Sequence, residues 1–449
     1  MVNKIVIVGG VGGGATVAAQ IRRTDPDSEI HILDRCGYIS FANCGMPYYL
    51  GRDITDRDRI IYSENDFAEK YNISIETHAE VTHIEREKKT IFFKKNNKPY
   101  EMDYDILILS PGARAVMPDL QGIQSNTFTL RTIEDMDQIE AFISEKKPKT
   151  AAIIGGGFVG LEMVENLHKR GLQCSLIDHS EHVMKRLDPD MASHVDEHLI
   201  ENGVELYLND KLKSYSNHGT TLHLQSGKTI QADITLMAVG ITPNLELAKD
   251  AGLELGETGA IKVNKVMQTN DPSIYALGDA VEEVDFITKK PAHVALAWPA
   301  HRQAFVIASH LNGETIQRDG ILGSSLFRVF DLTVAITGQN SQALKELNIP
   351  FKSVTSKGFS HAGYYPGSEK LWMKIVYDPK SGRLLGGSVI GEKGADKRMA
   401  VLATAIKGKL TVDDLTDLEL GYNPIYSSSK DAINILGYKA REQWKKSNS

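Results

Sequence analysis

Cysteine is scarce in this sequence. Its 449 residues hold 3 cysteines, Cys36, Cys44 and Cys174, too few for a disulfide-stapled scaffold and with no Cys-x-x-Cys pair. A cysteine-only zinc centre needs more thiolates than this, and no metal is expected. An excess of basic charge is also missing. Lys and Arg number 51 against 58 Asp and Glu, a net charge of −7, which lacks the positive footprint of a nucleic-acid binder. Long apolar runs are absent too. The stretch Ile5-Val6-Ile7-Val8 reaches glycines at once. That is short of the roughly 7–15 residues of a secretion signal and the ~20 of a membrane span. The expectation is a cytoplasmic protein with neither membrane nor nucleic acid as partner, in a reducing compartment where a free thiol persists.

What is present suits a folded chain. Hydrophobic residues make up 41% and charged residues 24%, enough for packed cores, and the length suggests about three domains. Among 38 glycines, two clusters stand out. In the first, the apolar run Ile5–Val8 enters Gly9-Gly10-Val11-Gly12-Gly13-Gly14, then a helical pattern with Val17, Ala18 and Ile21, then a second strand, Glu29–Leu33, closed by Asp34. In the second, Ala151–Ile154 enters Gly155-Gly156-Gly157-Phe158-Val159-Gly160. A helix with Leu161, Val164 and Leu167 follows, and the strand Cys174–Ile177 ends at Asp178. Gly155, Gly157 and Gly160 match G-x-G-x-x-G, whereas the first cluster puts Val11 at the central position and Gly12 one place later.

A pyrophosphate sits on a helix N-terminus because free N–H groups and the helix dipole point at it. Glycines allow the tight turn and the close backbone approach, and the acid ending the second strand accepts hydrogen bonds from a ribose. One such glycine match is weak; two, each inside a full strand–helix–strand–acid unit, are strong. Two dinucleotide sites in one chain point to FAD at the first and NADH or NADPH at the second. Apolar strands ending at Ser110-Pro111-Gly112 and Val239-Gly240, and Ile274–Leu277 ending at Gly278-Asp279, add turns of the same kind. From about Gly323 the pattern changes to strand-like runs (326–336, 371–377, 384–391), a turn at Asp378–Gly382, a helix near 396–407 and a helix starting at Thr411 with Asp414 as its capping partner.

This order resembles the flavoproteins with two dinucleotide-binding domains, the pyridine nucleotide–disulfide reductases. The run Ser40-Phe41-Ala42-Asn43-Cys44-Gly45-Met46-Pro47-Tyr48 resembles the Ser-Phe-x-x-Cys-x-x-Pro-Tyr signature of their single-cysteine branch. That branch holds coenzyme A-disulfide reductases, NADH oxidases, NADH peroxidases and persulfide reductases. Tyr49 stands where a second redox cysteine would be, and Gly12 where peroxidases of the branch carry a histidine. The segments His361–Gly367 and Gly421–Asp431 resemble those of coenzyme A-disulfide reductases.

The resemblance implies an α/β fold of two nested Rossmann-like domains and a C-terminal α+β dimerisation domain. Its divisions are residues 1–114 and 256–322 for FAD, 115–255 for NAD(P) and 323–449 for the dimer. The implied dinucleotide contacts are Gly9, Gly10, Gly12, Gly13, Gly14, Asp34, Arg35, Ser110, Gly112, Gly155, Gly157, Gly160, Asp178, His179, Gly240, Gly278, Asp279 and Ala297. Asp178 favours NADH, while His179 beside it suits a 2′-phosphate, so the choice of nicotinamide stays open. Coenzyme A, as disulfide substrate or as a mixed disulfide on the protein, is implied to meet Thr16, Gln20, Arg23, Ser40, Asn43, His301 and Lys430. Cys44 is the implied redox cysteine, at a helix start expected to favour its thiolate. Tyr364 and Tyr422 are implied to reach it from the partner in a homodimer with shared sites. The chain ends soon after Tyr438, without the rhodanese domain of some persulfide reductases. A persulfide or polysulfide reductase, a water-forming NADH oxidase cycling through sulfenic acid, and a flavin-binding interaction module without turnover stand as alternatives.

Overall fold

An apolar run of four or five residues that ends in a glycine turn is too short for a stable helix and long enough for a central strand. The computed structural model describes residues 3–316 and 319–448 and places these runs at the centres of two parallel sheets. In the first, the strand order is Ile274–Ala276, Ile106–Leu109, Lys4–Val8, Glu29–Leu33 and Ser74–Glu76. In the second it is Glu205–Tyr207, Gln173–Ile177, Thr150–Ile154, Ile234–Met237 and Thr127–Phe128. Both sheets are parallel throughout, and their glycine turns lead into the helices Gly13–Thr24 and Phe158–Lys169.

The chain leaves the first unit through the strand Ala113–Ala115 and returns along Ile241–Pro243, paired antiparallel to it. The return comes earlier than the expected residue 256. Ala248 and Leu253 already pack into the first core, because the short helix Glu246–Asp250 lies against the strand Ala79–Glu85, whose buried side chains join that core. The last unit is an antiparallel sheet ordered Ser325–Val329, Leu332–Gly338, Leu384–Gly391, Lys370–Tyr377, Lys352–Phe359, packed against the helices Ala395–Lys407 and Ala432–Asn448. The nested α/β architecture with a separate α+β unit is therefore what the chain adopts.

Two local readings change. The run 326–336 is a hairpin, since Phe330 takes φ +56° between two strands. Thr411 and Asp414 do exchange the capping bonds, but the helix they open, Asp414–Asp417, is a single turn. Among the described residues no helix is long and apolar enough to cross a membrane.

One ionic cluster ties the three units together. Glu165, fully buried on the second-unit helix, accepts from the Arg328 guanidinium at 2.7 Å and from the Phe330 N–H at 3.0 Å, both in the third unit. Lys169 lies 2.7 Å from Glu165 and 2.8 Å from Asp53 of the first unit, which also accepts from Arg328 at 3.0 Å. A buried carboxylate is tolerable only when paired this way, and removing one partner strands the others. Both cations are partly exposed and keep Asp53, so the loss is smaller than for a fully buried pair. Glu165→Gln should lower stability by about 2 kcal/mol, read as a lower midpoint in urea unfolding followed by tryptophan fluorescence.

Candidate active site

Both glycine turns are built on the same backbone contact. Gly9 has φ +97° and Gly155 φ +109°, a region that side chains disfavour. A Cβ on Gly14 would fall 1.8 Å from the Gly9 carbonyl oxygen, and one on Gly160 would fall 1.9 Å from that of Gly155. Each helix can start against the end of its strand only because these positions lack a side chain. In between, Gly12 and Gly157 cap the helices and face open space, with no atom within 4 Å of where a Cβ would stand. Neither helix has a side-chain cap or an acidic residue in its first turn. The leading N–H groups, apart from that of Gly14, which donates to the Val11 carbonyl at 3.0 Å, thus stay available to an anion such as a pyrophosphate. The shift of Gly12 relative to Gly157 matches a helix that starts at Gly13 in one unit and Phe158 in the other.

Each acid is held beside its turn. Asp34, buried, accepts from the Gly10 N–H at 2.7 Å and the Cys36 N–H at 2.7 Å; Asp178 accepts from Gly156 at 2.6 Å and Ser180 at 2.7 Å. Burial pushes the Asp34 carboxyl up, against those two hydrogen bonds. Arg35 is exposed beside Asp34, and His179 is mostly exposed with Nδ1 3.4 Å from Asp178. A Cβ on Gly13 would meet Ser110 Oγ at 3.2 Å and Leu277, so Ser110 and the Gly278 turn converge on the first glycine turn. Gly278 donates to Gln303 of the helix Ala297–Leu311 at 2.7 Å, which brings Ala297 onto the same side. Gly112 and Gly240, both at positive φ, lie where the chain crosses between the units. These residues fit two dinucleotides.

Cys44 is exposed and lies in a short 3₁₀ turn, Asn43–Gly45, ahead of the five-residue helix Met46–Leu50. The expected depression of its thiol does not occur. Burial of the sulfur pushes it up, and the Glu162 carboxylate adds to this; Arg131 opposes and Asp279 adds again. A helix of little more than one turn is too short to outweigh these charges. Cys36 is pushed up to about 11 by burial and then by Asp34, and the buried Cys174 to about 12 by burial.

The remaining site residues fall into two groups. Thr16 Oγ1 lies 2.8 Å from His301 Nδ1, so the helix carrying Thr16, Gln20 and Arg23 meets the helix carrying His301. Ser40 takes φ +47°, with its N–H on the Gly10 carbonyl, and the Asn43 amide donates to the Arg131 carbonyl at 3.2 Å. In the third unit the Tyr364 and Tyr422 hydroxyls are 2.6 Å apart, with 77% and 49% of the two residues exposed. Lys430 is exposed in the same segment. Among the described residues, no hydrogen bond joins either tyrosine to Cys44 of its own chain.

Two residues near Cys44, Arg131 and Glu162, and the partner of the motif tyrosine escape a reading of the sequence. Arg131 pairs with Asp279 and donates to the Ala113 carbonyl at 3.2 Å. Tyr48 belongs to the cysteine motif, and its hydroxyl donates to Glu162 Oε1 at 3.4 Å. Glu162 lies on the second-unit helix, two residues past Gly160, on a helix face shared with Glu165, Asn166 and Lys169, so nothing in the sequence singles it out.

Comparison with known proteins matches this geometry. A family profile described as pyridine nucleotide-disulphide oxidoreductase matches residues 3–304, and the dimerisation domain of that family matches residues 325–432. A coenzyme A disulfide reductase of Staphylococcus epidermidis is 40% identical over 443 residues, 98% of this chain and 100% of that protein. The crystal structure of reduced CoADR-RHD from Bacillus anthracis is 46% identical with a TM-score of 0.98, over 99% of this chain and 81% of that one. A NAD-dependent persulfide reductase from A. fulgidus is 33% identical with a TM-score of 0.96, over 99% of this chain and 84% of that one.

The two turns should fail separately. Gly14→Ala should abolish flavin retention. Gly160→Ala should leave the flavin bound while weakening NADH binding at least tenfold, since a methyl against a carbonyl oxygen moves the helix start off its strand. Flavin absorbance of the purified variants and stopped-flow flavin reduction by NADH check both.

Proposed function

The chain belongs to the pyridine nucleotide-disulphide oxidoreductase family, and from that premise we propose that it reduces coenzyme A disulfide with NADH or NADPH, using FAD and the single thiol of Cys44. The observation that carries this reading is an accessible lone thiol, Cys44, with Glu162 of one dinucleotide unit and Asp279 of the other among its charged neighbours. The net reaction takes one disulfide, one NAD(P)H and one proton to two thiols and NAD(P)+.

This chain's own groups would do the following. The Cys44 thiolate attacks one sulfur of the substrate, the S–S bond breaks, one coenzyme A leaves as a thiolate and takes up a proton, and the other stays as a mixed disulfide on Cys44. Bound FAD supplies the two electrons, received from the nicotinamide, that return this disulfide to two thiols. The first glycine turn, Asp34, Ser110 and Asp279 hold the flavin; the second turn and Asp178 hold the nicotinamide nucleotide. Thr16, Gln20, Arg23 and His301 would offer polar and cationic groups to the phosphates of coenzyme A, with Ser40 and Asn43 from the cysteine motif as further contacts. Lys430 would act as a point charge on phosphate.

Tyr364 and Tyr422 serve the site of a second copy. Their exposed, mutually bonded hydroxyls lie within residues 325–432, the stretch matched by the dimerisation domain. In a two-fold dimer each site would combine one subunit's cysteine with the other's tyrosines, which would protonate the leaving thiolate. Persulfide reduction is the second reading, favoured by the likeness to the A. fulgidus protein, since a thiolate attacks a persulfide sulfur by the same chemistry.

The test is a screen of coenzyme A disulfide, coenzyme A persulfide, glutathione disulfide, peroxide and oxygen, each with NADH and NADPH. Coenzyme A disulfide should give the largest kcat/KM. Cys44→Ser should keep flavin reduction and lose disulfide turnover, while Cys36→Ser and Cys174→Ser stay active; turnover by the Cys44 variant would end the mixed-disulfide scheme. For the shared site, a heterodimer of one Cys44→Ser chain and one Tyr364→Phe, Tyr422→Phe chain holds one intact site. It should recover up to half of wild-type activity, and no recovery would place the tyrosines within their own subunit's site.

A further inference from the structure

The segments that carry Tyr364 and Tyr422 are irregular and largely exposed, yet both are fastened to one turn of the third unit. Lys393 donates to the Gly367 carbonyl at 3.2 Å, at the end of the Tyr364 segment. Four residues on, Lys397 donates to the Tyr426 carbonyl, inside the Tyr422 segment. Arg398 grips Asp431, at the end of that segment, with Nη2 on Oδ2 at 2.7 Å and Nε on Oδ1 at 3.2 Å. Three cations between residues 393 and 398 therefore each donate into a segment that bears one of the tyrosines.

The Arg398–Asp431 pair is the firmest of these bonds. Both residues are buried, and the guanidinium also donates to the Gly394 carbonyl at 3.2 Å. Gly394 has φ +74°, and a Cβ there would collide with Arg398 Nη1, so the turn is shaped around this side chain. A two-point fork on a carboxylate fixes direction as well as distance, which a lysine cannot do. Asp431 Oδ1 also accepts from the Ile433 N–H at 3.0 Å, at the start of the helix Ala432–Asn448. From the same helix start, Asn434 donates to the Leu418 carbonyl at 2.9 Å. The stretch from Leu418 to Asp431 is thus pinned at both ends, and between them Lys397 and the Tyr364 hydroxyl reach it.

In a pair of phenols one O–H is spent on the bond between them, and the other stays free to donate. Where that second proton points depends on where the two rings stand, and the rings stand on segments without regular structure of their own. Resting on the reading of Tyr364 and Tyr422 as groups that serve a second copy's cysteine, we propose that Lys393, Lys397 and Arg398 are positioning residues that set the tyrosine pair from behind, Arg398 most strongly. The same anchor places Lys430, the residue before Asp431. The bond from Tyr364 holds the Tyr422 phenol above its ordinary proton affinity, so the pair keeps its protons at neutral pH.

The experiment places 3-fluorotyrosine at position 422 of the flavin-loaded full chain and follows its fluorine resonance by NMR without substrate. Tyr364→Phe marks the resonance of an unpaired phenol. Arg398→Lys should move the signal at least halfway to that mark, and Lys393→Met and Lys397→Met should move it by less. Lys393 and Lys397 are exposed, so their variants carry the test if Arg398→Lys does not fold. With natural tyrosine, Arg398→Lys should lower kcat for coenzyme A disulfide roughly tenfold through misplacement of the pair, with flavin reduction by NADH unchanged. In a Tyr422→Phe chain it should cost little more, because both changes act on one group. A resonance that Arg398→Lys leaves in place, or that Tyr364→Phe itself does not move, would overturn the proposal, as would additive losses of kcat. A moved resonance together with full turnover by Tyr422→Phe would instead end the reading of the tyrosines and leave the clamp standing.

Discussion

A backbone contact, Gly14 over the Gly9 carbonyl and Gly160 over that of Gly155, is what the rest of this protein depends on. With a side chain at either later position, the helix would start away from its strand. The leading N–H groups would then not point where a pyrophosphate lies, and the acid at the end of the neighbouring strand would lose its place. Asp34 and Asp178 show the link directly, since each bonds an N–H inside its own glycine turn. Turn, helix start and acid form one cooperative unit, made twice.

Between the two units the controlling force is electrostatic. Glu165 gathers Arg328 and Lys169 with Asp53 beside them, and so locks three separately folded parts around one buried carboxylate. The same arrangement deprives Glu162 of a cation. The Cys44 thiol is held up by burial and next by the Glu162 charge. The Arg131 charge, which favours the thiolate, is offset by its pairing with Asp279.

The strand–glycine–helix–strand units were legible in the sequence because everything that makes them is local. An apolar run of strand length, a glycine turn and a 3.6-residue repeat need no distant partner. The hairpin at Phe330 was less legible, because Leu326–Ile336 reads as one strand-like run without glycine or proline and the turn rests on the φ of a phenylalanine. The helix from Thr411 was misjudged in length, since its capping bonds are local but its extent is set by packing against the helix Ala432–Asn448. The return of the chain to the first core near Ala248 depends on which sheet the short helix Glu246–Asp250 reaches.

Around Cys44 the division is sharper. The motif from Ser40 to Tyr48 singled out the cysteine, and its lack of a second cysteine pointed to a mixed disulfide, both from sequence alone. The proton affinity of the thiol was decided only by tertiary structure. Tyr48 and Glu162 are 114 residues apart, and no pattern in either segment announces the other. Local sequence predicts a thiol eased by a helix start. In the folded chain the sulfur is partly desolvated and the Glu162 charge opposes its ionisation, in a setting where charge acts more strongly than in water. Residue types and their spacing can be read along a chain, but the field at an atom is a sum over everything the fold brings near it.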